Sequence, residues 1–529
     1  MSGERPVRLF LTYLVLIGVT LSPLLWVSIP PLVDYPSHLG RMSILAAPVA
    51  SQNYLVRWQW VPNLAMDLVV PPLGAIVGLE RAGRVFIALT LLLLVAATTL
   101  LHRVLWGRVG WWPSASFLFL YNRALYYGFL NYLFGLGMAL LCFAFWIALR
   151  NRWVPARPAL FSVLASVIFL LHLFAFGVYG LLILSYETGR LWSERPVNAR
   201  KVGRFLAAFL QFVPAAGFWL ANASVGGGQY TGYGDLVDKL VAALAPANFS
   251  VVGSMLAPLL AAFAGLAWWR GALRLAPAMR WPVLTIFAAA AAMPNWLYGS
   301  WGADLRLPVA LAFVFIAATE PRVSRRWVAG LVAAGCVGLL VVRIAAITAV
   351  WRAMDQRFAE FRTAARTLPE GARLLVAQSP MPEAQRRIDG VPLAVAALDP
   401  VAFRHMGDLA VLDRDAFVPT FEMQLSLAFE QRLGPIEQAP RNLGRYPQQG
   451  LPLRLDQLRA GAGRDPATPP ALPGSPAERP GEIPYWVDWP DKFEYLLVID
   501  FGEPVPGLPK YLQISAQGSF FTLYRITPG

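Results

Sequence analysis

Asp34-Tyr35-Pro36-Ser37-His38-Leu39-Gly40-Arg41 follows directly on an uncharged apolar run, 9–33. A run of that length crosses a bilayer. A carboxylate, an imidazole and a guanidinium therefore occur close together at the exit of a first membrane span. If a helix starts at Asp34, with Pro36 tolerated in its first turn, Asp34, His38 and Arg41 lie along one face. Polar residues after a membrane helix ordinarily just meet headgroups and water, so the stretch alone defines no site. The rest of the chain decides.

The composition is that of an integral membrane protein. Of 529 residues, 57% are hydrophobic and only 14% charged, against about a quarter charged in a soluble domain. The net charge of +14 comes from short basic clusters between apolar runs, which is the pattern of cytoplasmic loops and not of nucleic-acid binding. Cys142 and Cys336, the two cysteines, both sit in apolar runs, so neither a disulfide framework nor a cysteine metal site is expected. Residues 1–8 form a basic leader with no small-residue cleavage pattern after the apolar run. This predicts a retained first span with a cytoplasmic N-terminus.

Topology follows from the basic clusters: Arg5 with Arg8, His102-Arg103 with Arg108, and the clusters in 150–157, 190–204, 270–280 and 322–326. If all are cytoplasmic, an even number of crossings separates each pair. Residues 34–84 then form a large external loop with two amphipathic stretches, before a span at 85–101. Between Arg108 and Arg150, two crossings must turn near Tyr121-Asn122-Arg123 and Gly128-Phe129-Leu130-Asn131. Between Arg157 and Arg190 the turn falls near His172. Half-spans of about 14 residues are too short to cross alone at 1.5 Å per residue, and are tolerated where protein lines a recessed cavity. Counting alone thus places Arg123, Asn131 and His172 on Asp34's side.

Further crossings are expected at 205–221, 250–269, 282–293, 307–318 and 327–347, for about 11 in total. The fold class expected is a mostly α polytopic membrane domain, 1–351, followed by an extracytoplasmic α/β domain, 352–529. Strand-like runs occur at 373–377, 495–500 and 520–524, helical spacing at 358–368, and a proline-dense loop at 465–484. No catalytic signature appears in this domain, and a packed or solvent-exposed role is expected for His405, its one histidine.

Ionisable residues converge on the external side: Asp34, His38 and Arg41, then Asp67, Arg123 with His172, and Asp304 with Arg306. Asp67 sits among Ala, Met, Leu and Val, and is read on a helix begun by Pro62 with Asn63 on the same face. It faces either a polar cavity or a cation such as Arg57 or Arg123. Such residues near membrane depth default to functional hypotheses, with structural pairing as the alternative. The chemistry they suit is displacement at a phosphate-linked carbon. A carboxylate serves as general base towards an acceptor hydroxyl, and arginines neutralise a leaving phosphate. For Arg306, phosphate binding and plain pairing with Asp304 both stand. His172 is either a hydrogen-bonded turn residue or a ligand contact. The glycine-rich loop 226–234, before Asp235 and Asp238, is a connection or a mobile lid.

An aspartate just after the first span, a long first loop with a second carboxylate, and paired short spans resemble the GT-C glycosyltransferases. Asp304-Leu305-Arg306-Leu307-Pro308 is similar to the Arg-x-x-Pro element of several branches of that superfamily, although one residue, not two, separates Arg306 from Pro308. The resemblance implies an inner-membrane enzyme that moves a monosaccharide from a polyprenyl-phosphate carrier to a lipid, glycan or protein acceptor on the extracytoplasmic face. It assigns the general base to Asp34 and the carrier phosphate to Arg306; Asp67 and His38 join Asp34 as catalytic candidates, and Arg123 joins Arg306 as a phosphate-binding candidate. Asn63, Asn131, His172, Asp304 and Arg41 are the remaining substrate-binding candidates. Many members carry paired acidic residues in the first loop, whereas Tyr35-Pro36 follows Asp34 here. No cofactor is fixed, and a divalent metal stays open if Asp67 supplies the second carboxylate. Membrane lipids are expected partners and nucleic acid is not.

Two other classes stand beside the enzyme: a secondary transporter or flippase, and a non-catalytic assembly factor with the same shell. Charges gathered on one side and the large external domain favour the enzyme. No phosphate loop, nucleotide-binding glycine motif or zinc spacing is present, which argues against ATP-driven transport.

Overall fold

The structure, a computed structural model, describes residues 4–48, 51–58, 60–150, 157–222, 231–249, 262, 265–297, 300–322, 325–392, 396–421, 425–426, 431–432, 436–438, 451–462 and 486–527. The expected span at 250–269, most of the glycine-rich loop and the proline-dense loop lie largely or wholly outside these residues.

Helix α1 (Glu4–Leu21) leads through a 3-10 turn into the first loop. That loop carries two helices where two amphipathic stretches are read: α2 (Tyr35–Ala46) and α3 (Ala65–Val77). Gly78, at φ 86°, breaks α3 from α4 (Leu79–Trp106). Residues 79–84 of the expected loop are thus helical, and the expected span at 85–101 is the centre of a 28-residue helix. Two crossings are expected between Arg108 and Arg150. The first is a 3-10 helix, Trp112–Phe119, which rises only about 16 Å at 2 Å per residue. After it come the short α5 (Arg123–Tyr127) and the full-length α6 (Leu130–Ala148). The pair α7 (Arg157–Leu171) and α8 (Leu173–Ser193) turns at His172, as the count requires.

Helices α9 (Ala199–Ala207) and α10 (Val213–Asn222) form one kinked run, then α11 (Leu236–Ala243) precedes the short pair α12 (Arg280–Ala292) and α13 (Ala303–Ala318). The longest helix among the described residues is α14 (Arg326–Ala365). Among the described residues, Val7–Leu25, Leu79–Trp106, Leu130–Ala148, Ala199–Ala221 and Trp327–Ala365 are long and apolar enough to cross a bilayer. The figure of 11 crossings thus counts elements too short to cross alone.

A buried arginine closes the short 3-10 helix. Arg343 of α14 donates to the carbonyls of Leu118, Tyr121 (2.7 Å) and Ala247 (3.1 Å), satisfying backbone groups that a helix end leaves open.

Helix α14 runs through the expected domain boundary at residue 351. Its first half exposes Trp327, Leu331 and Val341, whereas Trp351, Met354, Phe358 and Phe361 in its second half are buried. At about 1.5 Å per residue it is about 60 Å long, twice a hydrocarbon core. Its far half packs on the C-terminal domain, whose sheet contains β2 (Leu374–Gln378), β4 (Tyr495–Ile499), β5 (Leu512–Gln517) and β6 (Thr522–Ile526). Their order is β5-β6-β4-β2. Strands β2 and β4 are parallel, and the other pairs antiparallel. Three of the four match strand-like runs in the sequence. Strand β5 does not stand out there, because Gln513, Ser515 and Gln517 dilute its apolar character.

The first loop and the C-terminal domain are joined. Strand β1 (Tyr54–Val56) pairs antiparallel with β3 (Ile436–Gln438). Asn53 donates to the Asp415 carbonyl at 2.6 Å, and Asp415 accepts from Ser51 Oγ at 2.6 Å and from Gln52 N at 2.8 Å. Gly40 lets α2 approach α15 (Leu409–Arg414). A Cβ there would stand 3.2 Å from both Phe421 and Val411.

Candidate active site

Asp34 is held by its backbone. It is the residue before α2, its side chain does not cap that helix, and its N–H donates to the Tyr127 carbonyl at 3.1 Å. Val33 N–H donates to Tyr126 O at 2.9 Å, and His38 Nε2 meets Gly128 O at 3.1 Å. Three hydrogen bonds thus fasten the start of α2 to the turn at 126–128. That turn exists because Asn122 caps α5, accepting from Leu125 N at 3.0 Å, and Gly128 ends it at φ 86°. This conformation favours glycine, and a Cβ there would come within 3.1 Å of Asp34 Cβ. The carboxylate of Asp34 is 17% exposed. His38 Nε2 works on this backbone turn.

Arg306 reaches the same place from the other end of the domain. It lies in the first turns of α13, is 5% exposed, and is within electrostatic reach of Asp34. Its guanidinium lies 4.3 Å from the Phe129 ring centre and 4.9 Å from that of Phe174, and its Nη1 donates to Trp301 O at 3.0 Å. Stacking on two rings holds a cation flat. Asp304 pairs with Lys239 of α11, at 3.9 Å, leaving the guanidinium to backbone and rings.

Arg123 completes a row of alternating cations and rings. It stacks on Tyr126 (4.4 Å) and Tyr127 (4.7 Å) and donates to the Tyr127 hydroxyl at 3.0 Å. Tyr127 packs edge-on against Trp301 at 4.6 Å, which links Arg123 to the Arg306 group. Tyr126 donates to Asp399 of the C-terminal domain at 2.6 Å. Burial, and then the Asp399 charge, push its phenol well above the usual range, so it stays a donor.

Other sequence candidates have partners within the protein. Asp67 is ion-paired with Arg41, neither with Arg57 nor with Arg123, and both side chains are 1% exposed. Asn63 has φ 79° and lies before α3, which begins at Ala65, so it does not share a helix face with Asp67. Asn131 donates to both Asn63 oxygens at 2.9 Å and accepts from Met66 N at 2.7 Å. His172 caps α8 by accepting from Phe174 N at 3.1 Å, as its reading as a turn residue expects. Among the described residues, no three His, Cys, Asp or Glu side chains gather to hold a metal ion.

Sequence reasoning misses Lys239, the Tyr126-Tyr127 pair, Phe129 and Trp301. The ring residues carry a signal, since they flank the two turns singled out by counting. His405, for which a packed or exposed role is expected, is fully buried. Its Nε2 nevertheless stands 3.8 Å from Asp34 Oδ1, and its Nδ1 is 3.0 Å from Asp408 Oδ2.

The molecule defined in this way is mostly helical, with several helices long and apolar enough to cross a membrane and a strand-containing C-terminal domain, and a solved membrane protein shares its fold. The crystal structure of ArnT from Cupriavidus metallidurans bound to undecaprenyl phosphate matches all of this chain and 99% of its own, at 14% identity and a TM-score of 0.50. The apo state of the same protein matches at 12% identity and a TM-score of 0.48, covering 99% of this chain and 98% of that one. No family model and no curated protein matches the chain.

Proposed function

We propose that this protein is a membrane glycosyltransferase. It moves a monosaccharide from a polyprenyl-phosphate carrier to a hydroxyl of a lipid, glycan or protein acceptor, on the extracytoplasmic face of a bacterial inner membrane. The observation that carries this reading is the meeting of Asp34 and Arg306. Asp34, from the first loop, and the ring-stacked Arg306, from the start of α13, lie within electrostatic reach of each other beside a cluster of Tyr127, Phe129 and Trp301. The ArnT crystal structure that shares this fold is bound to undecaprenyl phosphate, which supports the carrier class.

In this mechanism the Asp34 carboxylate takes the proton of the acceptor hydroxyl. The oxygen forms a bond to the anomeric carbon while the bond from that carbon to the phosphate oxygen breaks. The electron pair leaves on the polyprenyl phosphate, whose charge is met by Arg306, with Arg123 and Lys239 at the same end of the domain. The aromatic walls stack on the sugar and exclude water.

The test is transfer in proteoliposomes from a panel of synthetic polyprenyl-phosphate sugars, read as release of polyprenyl phosphate. Asp34→Asn is expected to abolish release while the protein keeps its fold; transfer retained in that variant overturns the base assignment. Flux of unmodified substrate through sealed vesicles, without chemical conversion, is the outcome a transporter would give.

A further inference from the structure

His405 belongs to the C-terminal domain and Asp34 to the start of the membrane domain, yet they are 3.8 Å apart. The other side of the imidazole is occupied. His405 Nδ1 lies 3.0 Å from Asp408 Oδ2 and 3.2 Å from Ser37 Oγ. The Asp408 carboxylate also accepts from the Ser37 hydroxyl and, at 3.1 Å, from the Thr420 hydroxyl. His405, Asp408 and Ser37 are all completely buried.

This arrangement selects one tautomer. A carboxylate only accepts, so the contact of Asp408 with His405 Nδ1 requires the proton on Nδ1. Nε2 is then the nitrogen that gains or loses a proton, and it is the nitrogen that faces Asp34. A buried carboxylate fixing the tautomer of a histidine, which in turn serves a reacting group, is the logic of a catalytic triad. Here the group served is a carboxylate.

We propose that His405 is a positioning residue and proton acceptor for Asp34, held in its tautomer by Asp408, so that the C-terminal domain completes the catalytic base. The inference rests on Asp34 being the base. When the Asp34 carboxylate takes the proton of the acceptor hydroxyl, that proton passes to His405 Nε2. The resulting imidazolium is stabilised by Asp408 on one side and by the restored Asp34 carboxylate on the other. After the product leaves, the proton returns through Asp34 to water or to the departing phosphate. Every proton is accounted for, and no oxidant or other reactant is needed.

Several groups bear on this titration among the described residues. From the first loop there are Asp34 and, on α2, Ser37 and His38. From the C-terminal domain there are Asp408 and Thr420. From β1 there is Tyr54, whose phenol senses Asp408, and from α13 there is Arg306, which senses Asp34.

The test uses the full chain in lipid bilayers with nitrogen-15 histidine, since the protein has only four histidines. The His405 signals are those lost in His405→Gln. If that variant does not fold, they are found by elimination, replacing the other three histidines one at a time. The expected result is a proton on Nδ1 throughout, and an Nε2 titration whose midpoint falls in Asp34→Asn, while His102 and His172 do not move. In the transfer assay, His405→Gln is expected to lower kcat roughly 10- to 100-fold with the donor KM unchanged and the pH–rate profile displaced. Asp408→Asn is expected to displace that profile as well.

A His405 titration indifferent to Asp34→Asn overturns the inference, as does His405→Gln with a wild-type pH–rate profile. Those results leave the base assignment standing if Asp34→Asn is inactive. Conversely, an active Asp34→Asn variant removes the base assignment even where the two residues titrate together.

Discussion

Arg41 and Asp67 form a buried ion pair between the two helices of the first loop, with both side chains 1% exposed. Removing one partner of such a pair leaves a buried charge, while replacing both by apolar groups is tolerated. Asp67→Ala is therefore expected to cost about 3–5 kcal/mol, read as a lower unfolding temperature in detergent. Arg41→Met with Asp67→Leu is expected to recover most of that and to retain sugar transfer. A stable but inactive double variant would return Asp67 to the catalytic group.

Gly128 gives a second expectation. Alanine there must adopt a left-handed backbone, at a cost of about 1–3 kcal/mol, and brings a methyl group to 3.1 Å from Asp34 Cβ. Displacing a reacting group by about 1 Å costs on the order of 100-fold in rate. Gly128→Ala is expected to lose activity of that order while melting only a little earlier than wild type. Unchanged kcat would mean that the position of Asp34 is not critical.

Arg306 is expected to act on the donor. With an interaction to a charged group worth about 1.5–3 kcal/mol, Arg306→Ala should weaken undecaprenyl phosphate binding, measured by native mass spectrometry, roughly 10- to 150-fold. Arg306→Lys should restore only part, because an ammonium does not lie flat between Phe129 and Phe174 as the guanidinium does. Equal weakening of donor and acceptor would point to a role in holding the 300–301 turn.

Gly40→Val tests the join between the loop and the C-terminal domain. The added side chain meets Phe421 and Val411 at 3.2 Å from its first carbon, an overpacking cost of about 1–3 kcal/mol. The C-terminal domain should become more sensitive to limited proteolysis, and transfer should fall because His405 moves away from Asp34. Wild-type protease resistance would show that α2 can shift to make room.

Much of the bundle is legible in the sequence because it follows from simple counting. Basic clusters force a turn near Asn122-Arg123 and another at His172, and both are there. Asp34 and Arg306 are legible as ionisable residues at the ends of apolar runs. What the sequence hides are partner choices. Asp67 looks functional because its neighbours are apolar, but the same setting suits an ion pair, and only packing shows that Arg41 faces it. Asn63 and Asn131 look like ligand contacts and serve each other. His405 carries no pattern at all, because its meaning depends on a contact between the two ends of the chain's fold. Short or diluted segments hide in another way: the 3-10 helix Trp112–Phe119 has the composition of a span without its rise.

Helix α14 ties the two halves of the molecule to the bilayer itself. Asp355, in its second half, accepts from the backbone of Ser28 (3.0 Å) and Ile29 (2.9 Å) just before Asp34, and Arg362 joins Glu80 to Asp413 at 2.7 Å each. One unbroken rod thus carries both an exposed apolar surface and the fastenings of the first loop and the C-terminal domain. A span meets a thicker or thinner bilayer by tilting, and a tilt of this rod is passed on to the platform that brings His405 to Asp34. Bilayer thickness is therefore expected to bear on the spacing of His405 and Asp34, and acyl-chain length belongs among the variables of any assay of this protein.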